Sequence, residues 1–351
     1  MENCNLIGLD IAKNSFEVCV TDFEGHITER KKLSRMKVLA YFAQKTQSIV
    51  GLEACGGSHY WARQIQSLGH KTCIIPPQYV KPFVITNKSD SHDAHAISRC
   101  LREPHVPYVP IADPKDQDLR ALHRMRQRFI NDRTALVNQI RGFLLEYGLS
   151  INKGIDRARK ELGSILQEKP AALSPLFLQI LQEQYSEFIA KDHQIKVYAR
   201  LIENHVTEDS AGVKVMQISG IGPLTASALL IKLRHAGSYK NGRHFAASLG
   251  LVPRHEGTGG MVHMKGISKR GDCYLRTLLI HGARSVIRYR DKRTDSLGLW
   301  IRSLVERRGI HKACVALANK HARIAWRVVT HNEDYNVAYA TSQRDLVATV
   351  I

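Results

Sequence analysis

The chain has 351 residues, 44% hydrophobic and 24% charged, a globular composition with room for about two or three domains. Its formal charge of +19 and pI near 9.7 call for a polyanionic partner, nucleic acid ahead of a membrane surface, and weigh against a small-metabolite enzyme. No apolar run approaches the ~18 residues of a spanning helix, and Met1-Glu2-Asn3-Cys4-Asn5 lacks the basic start of a signal peptide. The seven cysteines are odd in number and form no C-x-x-C pair, so neither a disulfide framework nor a cysteine zinc site is indicated. A cytoplasmic protein with no membrane contact is expected.

Residues 1–110 open with three strand-like runs, 6–12, 16–21 and 26–33, separated by the turn sequences Lys13-Asn14-Ser15 and Asp22-Phe23-Glu24-Gly25. Residues 36–46 and 59–68 read as helices, 49–53 and 71–75 as buried strands, the last stopped by Pro76-Pro77. The predicted product is a mixed sheet with helices packed on it. Asp10 and Glu53 each end an apolar run, so each carboxylate is expected at a strand end. Asp90 and Asp93 stand three residues apart at a helix start and share one face. Taken alone, that pair reads as helix-start residues favouring the dipole. Taken with Asp10 and Glu53, it reads as a site for a hard divalent cation and not zinc. Lys88 is placed to hold a phosphate, whereas His92 and His95 read as exposed helix histidines. The acid layout resembles that of ribonuclease H-like folds. The opening I-G-L-D-I-A also fits an actin-like sugar or acetate kinase, but Ile11-Ala12-Lys13 lack the small residues that let backbone amides approach phosphate.

Residues 111–215 carry two long helical stripes, Leu119 to Leu144 and Leu176 to Ile202, predicting an antiparallel coiled-coil arm. A weaker basic link around 153–160 joins them.

In residues 216–330, Ile218-Ser219-Gly220-Ile221-Gly222-Pro223 lies between apolar helical segments and has the form of a helix-hairpin-helix turn, with Gly220 and Gly222 letting amides face a phosphate. A tight turn between packed helices is the plain alternative. From Ile231 to Thr330 there are 21 Lys and Arg against 5 Asp and Glu, a net of +16, which suits phosphate contacts. Arg254, Lys265, Lys269, Arg270 and Arg276 are the candidate contacts. Arg254 to Gly260 reads as a flexible loop whose glycine-flanked hydroxyl, Thr258, is either a phosphate contact or a nucleophile awaiting activation. No role is assigned to the tail, 331–351.

The ordered motifs G-L-D-I-A-K at Asp10, G-L-E-A-C-G at Glu53, K-S-D-S-H-D-A at Asp90 and Asp93, S-G-I-G-P-L-T-A, and F-A-A-S-L-G-L-V-P-R followed by S-K-R-G-D-C-Y-L-R together resemble, nearly end to end, the DEDD transposases of bacterial insertion sequences of the one-ten family and the related Piv-type DNA invertases. The resemblance implies a RuvC-like α/β N-terminal domain (1–110), a coiled-coil arm (111–215) and a mainly α-helical C-terminal transposase domain (216–330). It implies recombination of donor and target double-stranded DNA by a homo-oligomer, dimer or tetramer, with four acids holding magnesium and a loop serine as nucleophile. It also implies guidance by a structured non-coding RNA. Here the position matching that serine is Thr258, which keeps the hydroxyl and adds a methyl. The competing expectations are a RuvC-like junction-resolving nuclease that attacks with water, a Piv-type invertase, and a non-catalytic nucleic-acid-binding protein.

Overall fold

The computed structural model describes residues 5–84, 90–234, 239–258 and 261–336. The chain divides into two compact units, Met1–Lys115 and Asp116–Ile351. The first is a mixed α/β sheet and the second is mainly helical, as the patterning predicts. No helix among the described residues is long and apolar enough to cross a membrane.

In the first unit, β1 (Leu6–Ile11), β2 (Ser15–Thr21) and β3 (Ile27–Ser34) form the predicted antiparallel meander. The helix expected at 36–46 is shorter, a 3-10 turn at Arg35–Lys37 followed by α1 (Val38–Ala43). Next come β4 (Ile49–Glu53), α2 (Ser58–Ser67), β5 (Lys71–Ile75), the single turn α3 (Pro77–Val80) and α4 (Asp90–Cys100). Strands β4 and β5 add in parallel beside β1, giving the order β3-β2-β1-β4-β5. Side chains alternate across a strand. Ile7, Leu9, Val50 and Leu52 therefore share one face, where they are buried with Phe16, Phe42, Trp61 and Ile65. Gly8, Asp10, Gly51 and Glu53 fall on the other face, which α4 covers.

The second unit begins with α5 (Pro114–Glu146), α6 (Ile155–Glu168) and α7 (Pro175–Thr207). Helices α5 and α7 run antiparallel: Tyr147 meets Phe177, Arg133 meets Asp192 and Phe129 stacks on Tyr198. The stretch expected to be a bare link is instead α6, whose Ala158 and Leu162 share a core with Val137, Ile140 and Leu144 of α5 and with Phe177, Leu181 and Phe188 of α7. In the sequence, Arg157, Arg159 and Lys160 interrupt the apolar spacing of α6 and hide it.

The remaining helices are α8 (Ser210–Met216), α9 (Pro223–Leu233), α10 (Gly242–Ser248), α11 (Cys273–Arg288), α12 (Ser296–Arg308) and α13 (Ile310–His331). They close around Leu229, Phe245, Leu279, Ile301 and Leu317. The flexible loop expected from Arg254 is instead a strand, β6 (Pro253–Thr258), paired antiparallel with β7 (Met261–Ile267). Two residues, Gly259-Gly260, separate the strands in sequence, a spacing and composition that signal a hairpin.

Candidate metal centre and nucleic-acid interface

Asp10 lies one step beyond the last in-register pair of β1 and β4, Leu9 with Leu52, and Glu53 lies one step beyond it on β4. Two adjacent parallel strands in the middle of the sheet thus present carboxylates at their C-terminal ends. Asp90 and Asp93 occupy the first turn of α4. Carboxylate oxygens of Asp10, Asp90 and Asp93 lie within 4.8 Å of one another.

The approach of α4 depends on two glycines that the sequence reading passed over. Gly8 and Gly51 are paired in register. A Cβ on Gly8 would sit 1.9 Å from the Ala94 carbonyl oxygen, and one on Gly51 would sit 2.9 Å from Ile97 Cγ2. Only bare backbone admits the helix this closely. The signal was present as G-L-D and G-L-E, each glycine two residues before its acid and therefore on the same strand face.

Burial pushes the Asp10 carboxyl up to about 6 from 3.8, and the charges of Asp93, Asp90 and Glu53 push in the same direction. Glu53, although outside the tightest group, is thus within electrostatic reach. Crowded carboxylates disfavour their charged forms, and a hard divalent cation reverses that cost with an all-oxygen donor set. The residues present fit such an ion. His92 and His95 are half-buried, not exposed as expected. His95 is held below its usual range by burial and by Arg30, Arg99 and Arg102. Lys88 lies outside the described residues.

In the second unit, Gly220 has φ +86° and packs on α11, where a Cβ would meet the Gly282 carbonyl oxygen at 2.7 Å. That is the tight-turn role. Gly222 is the N-cap of α9 and has open space where a Cβ would stand. Arg254 donates to Glu256 at 3.0 Å, and Lys265 pairs with the same carboxylate. Lys269 and Arg270 are exposed. Arg276 is buried, with its Nη1 donating to the carbonyls of Leu249 at 2.9 Å and Arg270 at 3.0 Å, so its guanidinium braces the turn that displays Lys269 and Arg270. Thr258 is the last residue of β6, its backbone paired with Met261. Its side chain lies outside the described part of the structure.

Acids at the strand ends of a sheet, followed by a basic helical unit, are the arrangement of a protein that acts on nucleic acid, and comparison with known proteins defines the class as transposase. Residues 7–149 match a family of DEDD transposases of the IS110 type, and residues 213–297 match the transposase family IS116/IS110/IS902. The chain is 41% identical over 334 residues to a probable family 20 transposase of Pseudomonas aeruginosa, covering 95% of this chain and 99% of that one. It is 37% identical over 335 residues to the transposase for insertion sequence element IS1111A of Coxiella burnetii, covering 95% and 92%. A pilin gene-inverting protein of Moraxella bovis is 25% identical over 294 residues, covering 78% and 80%. The chain belongs to the IS116/IS110/IS902 family of transposases.

Proposed function

We propose that this transposase cuts and rejoins double-stranded DNA at the ends of an insertion sequence, with Asp10, Glu53, Asp90 and Asp93 holding magnesium and Thr258 supplying the nucleophile. The observation that carries the reading is the convergence of Asp10, Asp90 and Asp93 within 4.8 Å. Bound magnesium supplies Lewis-acid polarisation of a phosphoryl oxygen. The Thr258 hydroxyl bonds to phosphorus as the P–O bond to one strand end breaks, its proton passing to the departing strand's oxygen by way of solvent, and the new ester stores the phosphodiester energy for rejoining, where water attack would release it. Lys88, Arg254, Lys265, Lys269 and Arg270 contact phosphates, and in a helix-hairpin-helix turn at Gly220-Ile221-Gly222 the close packing of Gly220 on α11 holds the turn while the amides at the Gly222 N-cap of α9 face a phosphate. The finer architecture we infer is a RuvC-like domain at 1–110, a coiled-coil arm at 111–215 and a transposase domain at 216–330. The antiparallel course of α5 and α7 supports the arm. Resemblance to the one-ten family supports a guide RNA and a dimer or tetramer on donor and target DNA.

The similarity to a pilin gene-inverting protein favours a second reading, inversion of a DNA segment by the same chemistry. The test is cleavage and joining of DNA carrying the element ends. Asp10→Asn is expected to abolish cutting in magnesium while DNA binding persists, and normal cutting by that variant overturns the metal site. Thr258→Ala is expected to abolish joining, Thr258→Ser to preserve it, and a suicide substrate to trap an adduct on Thr258. Cutting by Thr258→Ala without an adduct makes the protein a water-using nuclease.

A further inference from the structure

A cavity of about 650 Å³ opens in the second unit between the base of the β6–β7 hairpin and one face of α13. Residues 312, 315, 316, 319, 320 and 323 of α13 line it, the i, i+3, i+4 stripe of a single helix face. Its surface combines three chemistries. Leu251, Ile267, Val315 and Ala316 give an apolar wall, and Trp300 adds an aromatic ring with the Lys320 ammonium 4.7 Å from its centroid. Lys265, His311, Lys312 and Arg323 are the other basic residues of the lining, and among the described residues no Asp or Glu lines it. Lys265 is engaged by Glu256, whereas no ion pair is formed by Lys312 or Arg323 among the described residues. Asn319 donates from Nδ2 to the Leu251 carbonyl at 3.2 Å and retains an amide oxygen able to accept from an amino group.

We propose that this cavity receives one unpaired nucleotide of a nucleic-acid strand, its base against the apolar wall and Trp300 and its phosphate against Lys312 and Arg323. The volume lies within the ~300–1,000 Å³ of small-ligand sites. Duplex backbone alone has no use for an apolar wall, because its outward groups are phosphate and sugar. A splayed base has apolar faces, polar edges and an attached anion, which matches all three parts of the lining. The inference rests on the nucleic-acid reading of this unit and adds a single-strand site to it.

The test measures binding of the full chain to a fluorescent dodecamer as single-stranded DNA, as single-stranded RNA, as duplex DNA, and as an abasic sugar-phosphate strand of equal length. The parent is expected to bind a base-bearing single strand on the order of 10-fold more tightly than the abasic strand. Whichever of DNA or RNA gives the larger difference identifies the source of the nucleotide. Ala316→Trp, which fills the half-buried wall, is expected to erase that difference while duplex affinity stays within about 2-fold, with thermal melting confirming that the variant is folded. The abasic comparison needs no variant. Equal binding of abasic and base-bearing strands by a parent that binds duplex overturns the cavity alone. Failure of the parent to bind any of the four overturns the underlying nucleic-acid reading with it.

Discussion

Gly8 and His321 show how much a single position can control. A methyl group on Gly8 meets the Ala94 carbonyl oxygen at 1.9 Å, and because that oxygen is backbone, α4 must move as a whole. Gly8→Ala is expected to abolish DNA cleavage and to cost about 1–3 kcal/mol of stability, as overpacking does. Gly56→Ala, with no atom within 4 Å of the added carbon, should do neither. Equal cleavage by the two variants would show that the acids do not need α4 where it lies. His321 is buried on α13, and neither ring nitrogen has a hydrogen-bond partner among the described residues. Burial, then the charges of Arg293 and Lys320, lowers its pKa to about 4 from 6.5. The unfolded chain therefore binds the extra proton first, and stability falls as pH drops from about 6.5 to 4. His321→Leu removes the titration and two unsatisfied atoms. Its melting temperature should fall less than the parent's across that window, and parallel pH profiles would refute the assignment.

Among the elements, the α5–α6–α7 assembly is locked by one carboxylate. Asp192 of α7 accepts from Arg133 of α5 at 2.6 Å and Arg159 of α6 at 2.7 Å, with Lys196 at 3.3 Å. Burial raises its pKa, but the hydrogen bonds from Arg133 and Lys196 and the charges of Arg159 and Lys196 hold it below 3.8. Its contribution is present above the unfolded value and lost as pH falls through the folded one. Asp192→Ala leaves three cations crowded without their partner, and a loss of about 3–5 kcal/mol is expected from chemical denaturation at neutral pH. A loss under about 1 kcal/mol would mean that water already screens the group. The helices α5 and α7 were legible because apolar residues recur along each. Helix α6 and the β6–β7 hairpin were not, since basic residues hid the apolar stripe of the one and the glycines beside Thr258 drew the other toward a loop reading.

For the whole molecule, charge distribution sets the expected behaviour. Most of the +19 excess falls between Ile231 and Thr330, where the net is +16, so duplex binding should be dominated by counterion release. Affinity of the full chain, measured across salt concentrations, should fall with a log-log slope of about −0.9 per neutralised phosphate. Five phosphate contacts correspond to a slope of about −4.5 on that scale. A flat response would remove phosphate contacts as the main source of affinity.

The sequence by itself determined the family, the α/β-then-helical order and the strand ends that carry Asp10 and Glu53, because these depend on local periodicity and short ordered motifs. It also pointed to Asp90 and Asp93 through their shared helix face. Only the tertiary structure decided that Asp10 meets that helix within 4.8 Å, because the distance is set by backbone packing across Gly8 and Gly51. Arg276 and Gly220 illustrate the same division: their residue types suit phosphate contact, whereas burial against Leu249 and close approach to Gly282 give them internal work. Whether a basic or small residue faces a ligand or its own chain depends on neighbours distant in sequence, and residue type alone does not encode them.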